Sequence, residues 1–358
     1  MQIIIMGLLA LLCVLFVVEH RINVRCLRAF KAVVHVNGIR GKSGTCRLID
    51  AALREQYRVF TKTTGTDART IDVAGLGAVL RRWGAPKISE QLSVIRRAKR
   101  EGAEVLVLEC MAVRPELQIV SQREIARAKY GVITNVRHDH ALEMGASLDE
   151  IAEPLSGTIP ENGVLFTADA EFYPFFSKKC AGRNTRCVLC DEDPPGRENE
   201  SIARAVAHEL GLTDEQIDRG FAKVQRDFGA RRTYALGKGE FLNLFSCNDP
   251  DSALMQLSDI GGAPVFVYNH RWDRPDRVQL FAERFFPHYP GATVLLLGGS
   301  PLVKRLLIKG EPTLTLRTLR RWTEVKSLSG APLVVGLGNI KGGAHDMIEW
   351  LESEANRS

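Results

Sequence analysis

The residues with the clearest chemistry form the run Gly-Ile-Arg-Gly-Lys-Ser at 38–43. It follows the apolar stretch VVHVN at 33–37, which reads as a strand. A helical pattern follows over 43–57, with Leu48, Ala51, Ala52 and Leu53 on or near one face. A glycine-rich turn between a strand and a helix cups phosphate. Its backbone N–H groups curl round phosphate oxygens, and the helix N-terminus adds positive potential. The residues placed against a nucleotide in this way are Gly38, Ile39, Arg40, Gly41, Lys42, Ser43 and Gly44. Lys42 would neutralise the β- and γ-phosphates, and the Ser43 hydroxyl would hold Mg²⁺. The strict pattern GxxxxGK[ST] fails at its first glycine, where Val36 stands.

Two further strand ends carry polar groups. EVLVLEC at 104–110 closes on Glu109, and GVITNV at 131–136 runs into RHDH, placing Asn135, Asp139 and His140 together. Charged residues that close buried parallel strands point into the crevice at the sheet's carboxyl edge, where ligands bind. A carboxylate and an imidazole beside a phosphate loop suit coordination of Mg²⁺ or support of its ligands.

The elements that must position these groups alternate between strand and helix. GVLFTA at 163–168 is another strand, while SLDE at 147–150 and TDEQ at 213–216 are capping boxes that start helices. This order predicts a mostly parallel sheet with helices on both faces. A second α/β unit begins near residue 233, with strands at 241–245, 264–269, 292–298 and 332–338. The expected domains are 33–232 for the phosphate-loop unit and 233–358 for the second. The chain has 358 residues, 45% of them hydrophobic and 25% charged, which suits two folded domains. A net charge of +6 is mild, and nothing in the motifs indicates nucleic-acid binding. The lone pair Cys187 and Cys190 lies in TRCVLCDE, which reads as a short buried strand, and both read as structural cysteines. GLGNIKGG at 336–343 has GxGxxxG spacing, and no acidic residue stands clear about twenty residues on, so it reads as a turn.

Residues 3–18, IIIMGLLALLCVLFVV, carry no charge and show no polar face. From Met1 they give roughly 27 Å of helix, close to the hydrocarbon thickness of a bilayer. A cleavable signal would carry basic residues before the run and small ones at its end. Here Arg21, Arg25, Arg28 and Lys31 come after it. Residues 1–18 are therefore expected to anchor the chain in the cell membrane as a single span with the N-terminus outside. Residues 19–32 are expected to be a basic, helical linker, with the rest of the chain expected in the cytoplasm.

Together these motifs resemble the Mur ligase superfamily, whose phosphate loop G-T-N-G-K-[ST] also lacks the first glycine. Within it the chain is most similar to the poly-γ-glutamate-forming, capsule-biosynthesis branch. The likeness is carried by NGIRGKS (37–43), KTTGTDAR (62–69), ECMAVRPE (109–116), NVRHDH (135–140), ND (248–249), RWDR (271–274) and GLGNIKG (336–342). It implies a Mur-like central ATPase domain followed by a Rossmann-like α/β domain. It also implies ATP and Mg²⁺ as cofactors, with a carboxylate activated as an acyl-phosphate and then joined to an amine. The resemblance puts phosphate contacts on Gly38, Gly41, Lys42 and Ser43, and metal ligands on Glu109 and His140. It puts Thr64 and Asp67 in the nucleotide or metal pocket. Arg232, ahead of Arg231, becomes the γ-phosphate clamp, so Lys42, Glu109, His140 and Arg232 form the catalytic set. Asn248, Asp249, Arg271 and Arg274 become substrate contacts. Implied partners are glutamate, the growing poly-γ-glutamate chain, the membrane and small membrane subunits, and a homo-oligomer stays open. Two departures stand out. Ala141-Leu142 replaces the Met-Asp of many relatives, and Leu155 stands where many Mur enzymes carry a modified lysine.

Two other readings compete. A folylpolyglutamate-type ligase would not need the anchor. A membrane-tethered regulatory or assembly ATPase would not need the second α/β domain.

Overall fold

The strand–helix alternation produces two sheets, one in each of two compact units, Met1–Gln225 and Arg226–Ser358. The computed structural model describes residues 2–64, 68–80, 86–139, 141–190, 197–224, 231–247, 249–258, 260, 264–271 and 274–355, leaving aside the side chains of Ala141 and Leu142.

In the first unit, α1 (Gln2–Leu27) leads into β1 (Ala32–Asn37) and then α2 (Lys42–Leu53). Next come β2 (Val59–Thr63), β3 (Arg69–Ile71), β4 (Gly77–Val79), α3 (Glu90–Arg100) and β5 (Val105–Glu109). The chain continues through α4 (Pro115–Val120), a π-helical turn (Ser121–Ala126), β6 (Tyr130–Ile133), α5 (Ala141–Met144) and α6 (Leu148–Ser156). It closes with β7 (Val164–Thr167), α7 (Tyr173–Ala181), β8 (Arg186–Leu189), α8 (Glu198–Glu209) and α9 (Asp214–Ala222).

The strand order is β4-β3-β2-β5-β1-β6-β7-β8. All neighbours are parallel except the β2-β3-β4 edge. Central β1 and β5 are buried along their whole length, as expected of strands covered on both faces. On one face Val34, Val36, Val105 and Val107 pack with residues of α2, α8 and α9. On the other, Val33, Phe60, Leu106 and Leu108 pack with α1, α3 and the π-helical turn. Both expected capping boxes form, at Ser147 with Glu150 and at Thr213 with Gln216.

The second unit holds β9 (Arg232–Leu236), β10 (Gly239–Leu244), α10 (Pro250–Leu257), β11 (Val265–Asn269) and α11 (Pro275–Arg284). It continues with β12 (Thr293–Leu297), α12 (Pro301–Gly310), β13 (Thr315–Leu319), β14 (Leu333–Leu337) and α13 (Gly343–Ala355). The order β13-β12-β11-β14-β10-β9 is parallel apart from the β9-β10 hairpin. Phe266, Tyr268, Phe281, Phe285 and Phe286 form one aromatic cluster on a single face of this sheet.

Several expectations change. Arg232 opens β9 opposite Asn243, so it belongs to the second unit instead of closing the first. The linker is helical, as expected, as far as Leu27 and is continuous with the expected anchor; what changes is that its last turns bury Asn23 and Cys26. The strand containing Cys187 is a half-exposed sheet edge and not buried, because β8 has a neighbour on one side only. Cys190, just past it, is buried.

Candidate active site

The phosphate loop starts where β1 ends. Asn37 pairs in register with Ile133 of β6, and Val36 with Glu109 of β5, so three strand ends meet at the loop. Two glycines are required by space as well as by backbone angle. Gly38 has φ +123°, and a Cβ there would lie 2.1 Å from Thr134 Oγ1. Gly41 has φ +78°, and its Cβ would lie 2.4 Å from Asn199 Oδ1. Gly41 caps α2, so the free N–H groups of that helix open towards the loop.

Lys42 curls back across the loop, its Nζ donating to Gly38 O at 2.6 Å and Ile39 O at 3.2 Å. Lost hydration pulls its pKa below the usual lysine value, opposed by the nearby Glu109 carboxylate. Ser43 Oγ donates to Glu109 Oε2 at 2.8 Å. Thr64, one residue past β2, donates its N–H to Glu109 Oε2 at 2.7 Å and its hydroxyl to Oε1 at 2.5 Å. Glu109 is 2% exposed, so three donors from two elements hold a buried carboxylate against the first turn of α2.

The β6 end holds the other side of the loop. Asn135 Oδ1 accepts from Arg40 N at 2.9 Å, and Thr134 Oγ1 donates to Arg40 O at 2.5 Å. Asp139 pairs with the Arg40 guanidinium at 3.1 Å. Asn135 and Asp139 therefore shape the loop through Arg40. His140 and Asp67 lie outside the described residues, as does Asn248.

Sequence reasoning missed Thr134 and Asn199. Asn199 comes from the first turn of α8, accepts from Thr45 Oγ1 at 2.9 Å and leans on Gly41. One polar residue at a helix start gave no signal; only the packing of α8 on α2 brings it there. Beneath the sheet lies a second polar layer. Lys62 is fully buried and pairs with Glu90 at 2.8 Å, and Gln91 Nε2 donates to Glu109 O at 3.2 Å. His35 is held between Gln122 at 2.9 Å and Ser121 at 3.4 Å, and burial pushes its pKa down to about 4.

In the second unit Asp249 is buried and caps α10, accepting from Ser252 N at 2.8 Å. Arg274 grips Asp276, with Nη2 at 2.9 Å from Oδ2. Arg271 is half-buried at the end of β11, and Arg231 is exposed. Arg232 pairs with Glu352 at 3.6 Å and lies over the Tyr234 ring. The turn after β14 is tied to β11, since Asn269 Nδ2 donates to Asn339 O at 2.6 Å and Lys341 O at 2.8 Å.

Comparison with known proteins agrees with this layout. Residues 36–205 match the Mur ligase middle domain, and 232–354 match the poly-gamma-glutamate synthase CapB C-terminal domain. The chain is 36% identical to PGA synthase CapB of Bacillus subtilis (strain 168), over 95% of each chain. The chain belongs to the CapB family. It is also 34% identical to the capsule biosynthesis protein CapB of Bacillus anthracis, over 96% of this chain and 82% of that one. Among solved structures, Escherichia coli FolC in complex with ADP superposes with TM-score 0.68 at 13% identity, covering 94% of this chain and 93% of that one. That likeness shows a shared fold. As a CapB-family member with a Mur ligase middle domain, the protein is an ATP-dependent ligase.

Proposed function

We propose that this CapB-family ligase is membrane-tethered and polymerises glutamate into poly-γ-glutamate, using ATP and Mg²⁺. The observation that carries the reading is the Ser43–Glu109–Thr64 cluster beside Lys42, inside a strand–loop–helix phosphate cradle. Its donors are hard oxygens, the set Mg²⁺ takes, and Ser43, Glu109 and Thr64 would hold the ion or its waters. His140 joins them in the same reading. Bound there, Mg²⁺ would supply charge neutralisation at the phosphates.

A carboxylate cannot be displaced directly by an amine, because its oxygen is a poor leaving group. In the proposed first step a carboxylate oxygen of glutamate attacks the γ-phosphorus. The bond to the β–γ bridging oxygen breaks, and ADP leaves. In the second step an unprotonated amine attacks the acyl carbon, phosphate departs, and the nitrogen gives up its proton. The loop N–H groups position the phosphates, and Lys42 offsets charge on the transferring phosphoryl. A phosphate offers its ammonium a stronger, charge-assisted partner than the carbonyls it now meets. Asn199 and Thr64 complete the walls of the nucleotide site, to which the same reading assigns Asp67. In the same reading Arg232 meets the γ-phosphate, and Asn248, Asp249, Arg271 and Arg274 hold acidic substrate groups.

The tether reading rests on α1, whose most apolar stretch has a mean hydropathy of 2.6 and is unburied, with basic residues following it. Small membrane subunits would carry the polymer away. The deciding experiment measures ADP release by the full chain. Release that depends on glutamate and is lost in Lys42→Ala supports the reading. ATP hydrolysis at one rate with and without every amino acid would sink it.

A further inference from the structure

The end of α1 does not behave as a tether. Asn23 is 2% exposed and donates to two backbone carbonyls of the π-helical turn, Glu124 O at 3.1 Å and Ile125 O at 2.9 Å. A π-turn leaves carbonyls without their usual partner at its end, and Asn23 supplies one from another helix. Glu19 pairs with Arg96 of α3 at 2.8 Å, and His20 lies 3.7 Å from Glu124. Cys26 and Phe30 enter the core under the sheet, and Lys31 N donates to Glu104 O at 2.8 Å just before β1.

We infer that residues 19–30 are a rigid strut, and that the α3 and π-turn side of the first unit is its membrane-facing surface. The inference rests on reading the apolar part of α1 as a span. Val18, which ends the uncharged run, is five residues from Asn23, or about 7.5 Å of helix. A headgroup layer is roughly 5–8 Å deep. With α1 docked at Asn23, the π-turn and α3 therefore sit at the headgroups. Exposed Arg100 and Arg123 on these elements suit anionic phosphates. The helices α2, α8 and α9 cover the opposite face of the sheet and point away from the bilayer. The strut also joins the anchor to the phosphate-loop strand, since Gln122 and Ser121 of the same π-turn hold His35 of β1.

The test uses the full chain in nanodiscs containing phosphatidylglycerol. A photoreactive benzoylphenylalanine replaces Arg100, Arg123 or Glu215, the last on α9. Lipid cross-links at Arg100 and Arg123 but not at Glu215 are expected. Inserting a flexible Gly-Ser segment between Val18 and Glu19 should abolish that preference while the chain stays in the disc. A chain that inserts yet labels all three sites equally overturns the strut and leaves the anchor standing. A chain that never enters the disc refutes the anchor and the strut with it.

Discussion

The carboxyl edges of the two sheets are built from the same parts and treat charge differently. In the first sheet, groups from separate elements converge on one another: Ser43 from α2, Glu109 from β5, and Thr64 after β2. In the second, Arg232 reaches Glu352 of α13, but two other charged candidates have partners close in the chain. Arg274 holds Asp276 two residues on, and Asp249 caps the helix it precedes. Convergence from distant elements is what concentrates reactive chemistry. Local pairing instead leaves a surface that a ligand must recruit, and recruiting it costs the local bond. The first edge should therefore govern rate, and the second should govern the binding of the acceptor.

The most severe test of this division is Lys42→Ala. Glutamate-dependent ADP release should fall by about 10²–10³-fold, with the melting temperature nearly unchanged. A large loss of stability instead would make Lys42 a structural residue. Glu109→Gln keeps the hydrogen-bond acceptor for Thr64 and removes the charge. Turnover should drop by about 10²-fold, and a Mg²⁺ titration should shift to higher concentration. An unchanged titration would remove Glu109 from the metal site.

The buried layer under the first sheet predicts a pH effect. His35 has a folded pKa of about 4 against 6.5 for an accessible histidine, so the unfolded chain binds its proton first as pH falls. Its neutral state supports the fold fully above pH 6.5, and stability should decline through the window from 6.5 to 4. The full shift corresponds to roughly 3 kcal/mol. Urea unfolding across that window should show the slope, and His35→Gln should flatten it.

In the second unit, Arg274→Ala should raise the glutamate KM by about tenfold and leave the ATP KM alone. Equal effects on both would erase the proposed division between the edges. Smallest is Asp249→Ala, which loses a helix cap and should cost about 1 kcal/mol in thermal unfolding. If it instead abolished turnover at unchanged stability, Asp249 would be a reacting group and the contrast between the edges would weaken.

The central strands were legible because apolar runs such as VLVL at 105–108 can be buried on both faces only in a parallel sheet. The strand β2 was not, because Lys62 interrupts its pattern. Its burial depends on Glu90, twenty-eight residues away, which no local reading supplies. The three-residue strands β3 and β4 gave no period to detect, and β13 is an edge strand with a mostly exposed pattern. In the site, Lys42, Ser43 and Glu109 were readable from type and position. Thr134 and Asn199 were not, because their place depends on how neighbouring elements pack against Gly38 and Gly41.

The sequence by itself determined the strand–loop–helix order, the glycines that let the backbone turn around phosphate, and the uncharged run at the N-terminus. Those features depend on local backbone freedom and on hydrophobic pattern. Tertiary structure alone decided that Glu109 meets both Ser43 and Thr64, and that Arg232 starts the second sheet. It also decided that the basic segment after the apolar run is docked, through Asn23 on the π-turn. The Glu109 and Asn23 contacts join residues far apart in the chain, and only the packing of whole elements brings such groups within hydrogen-bonding distance.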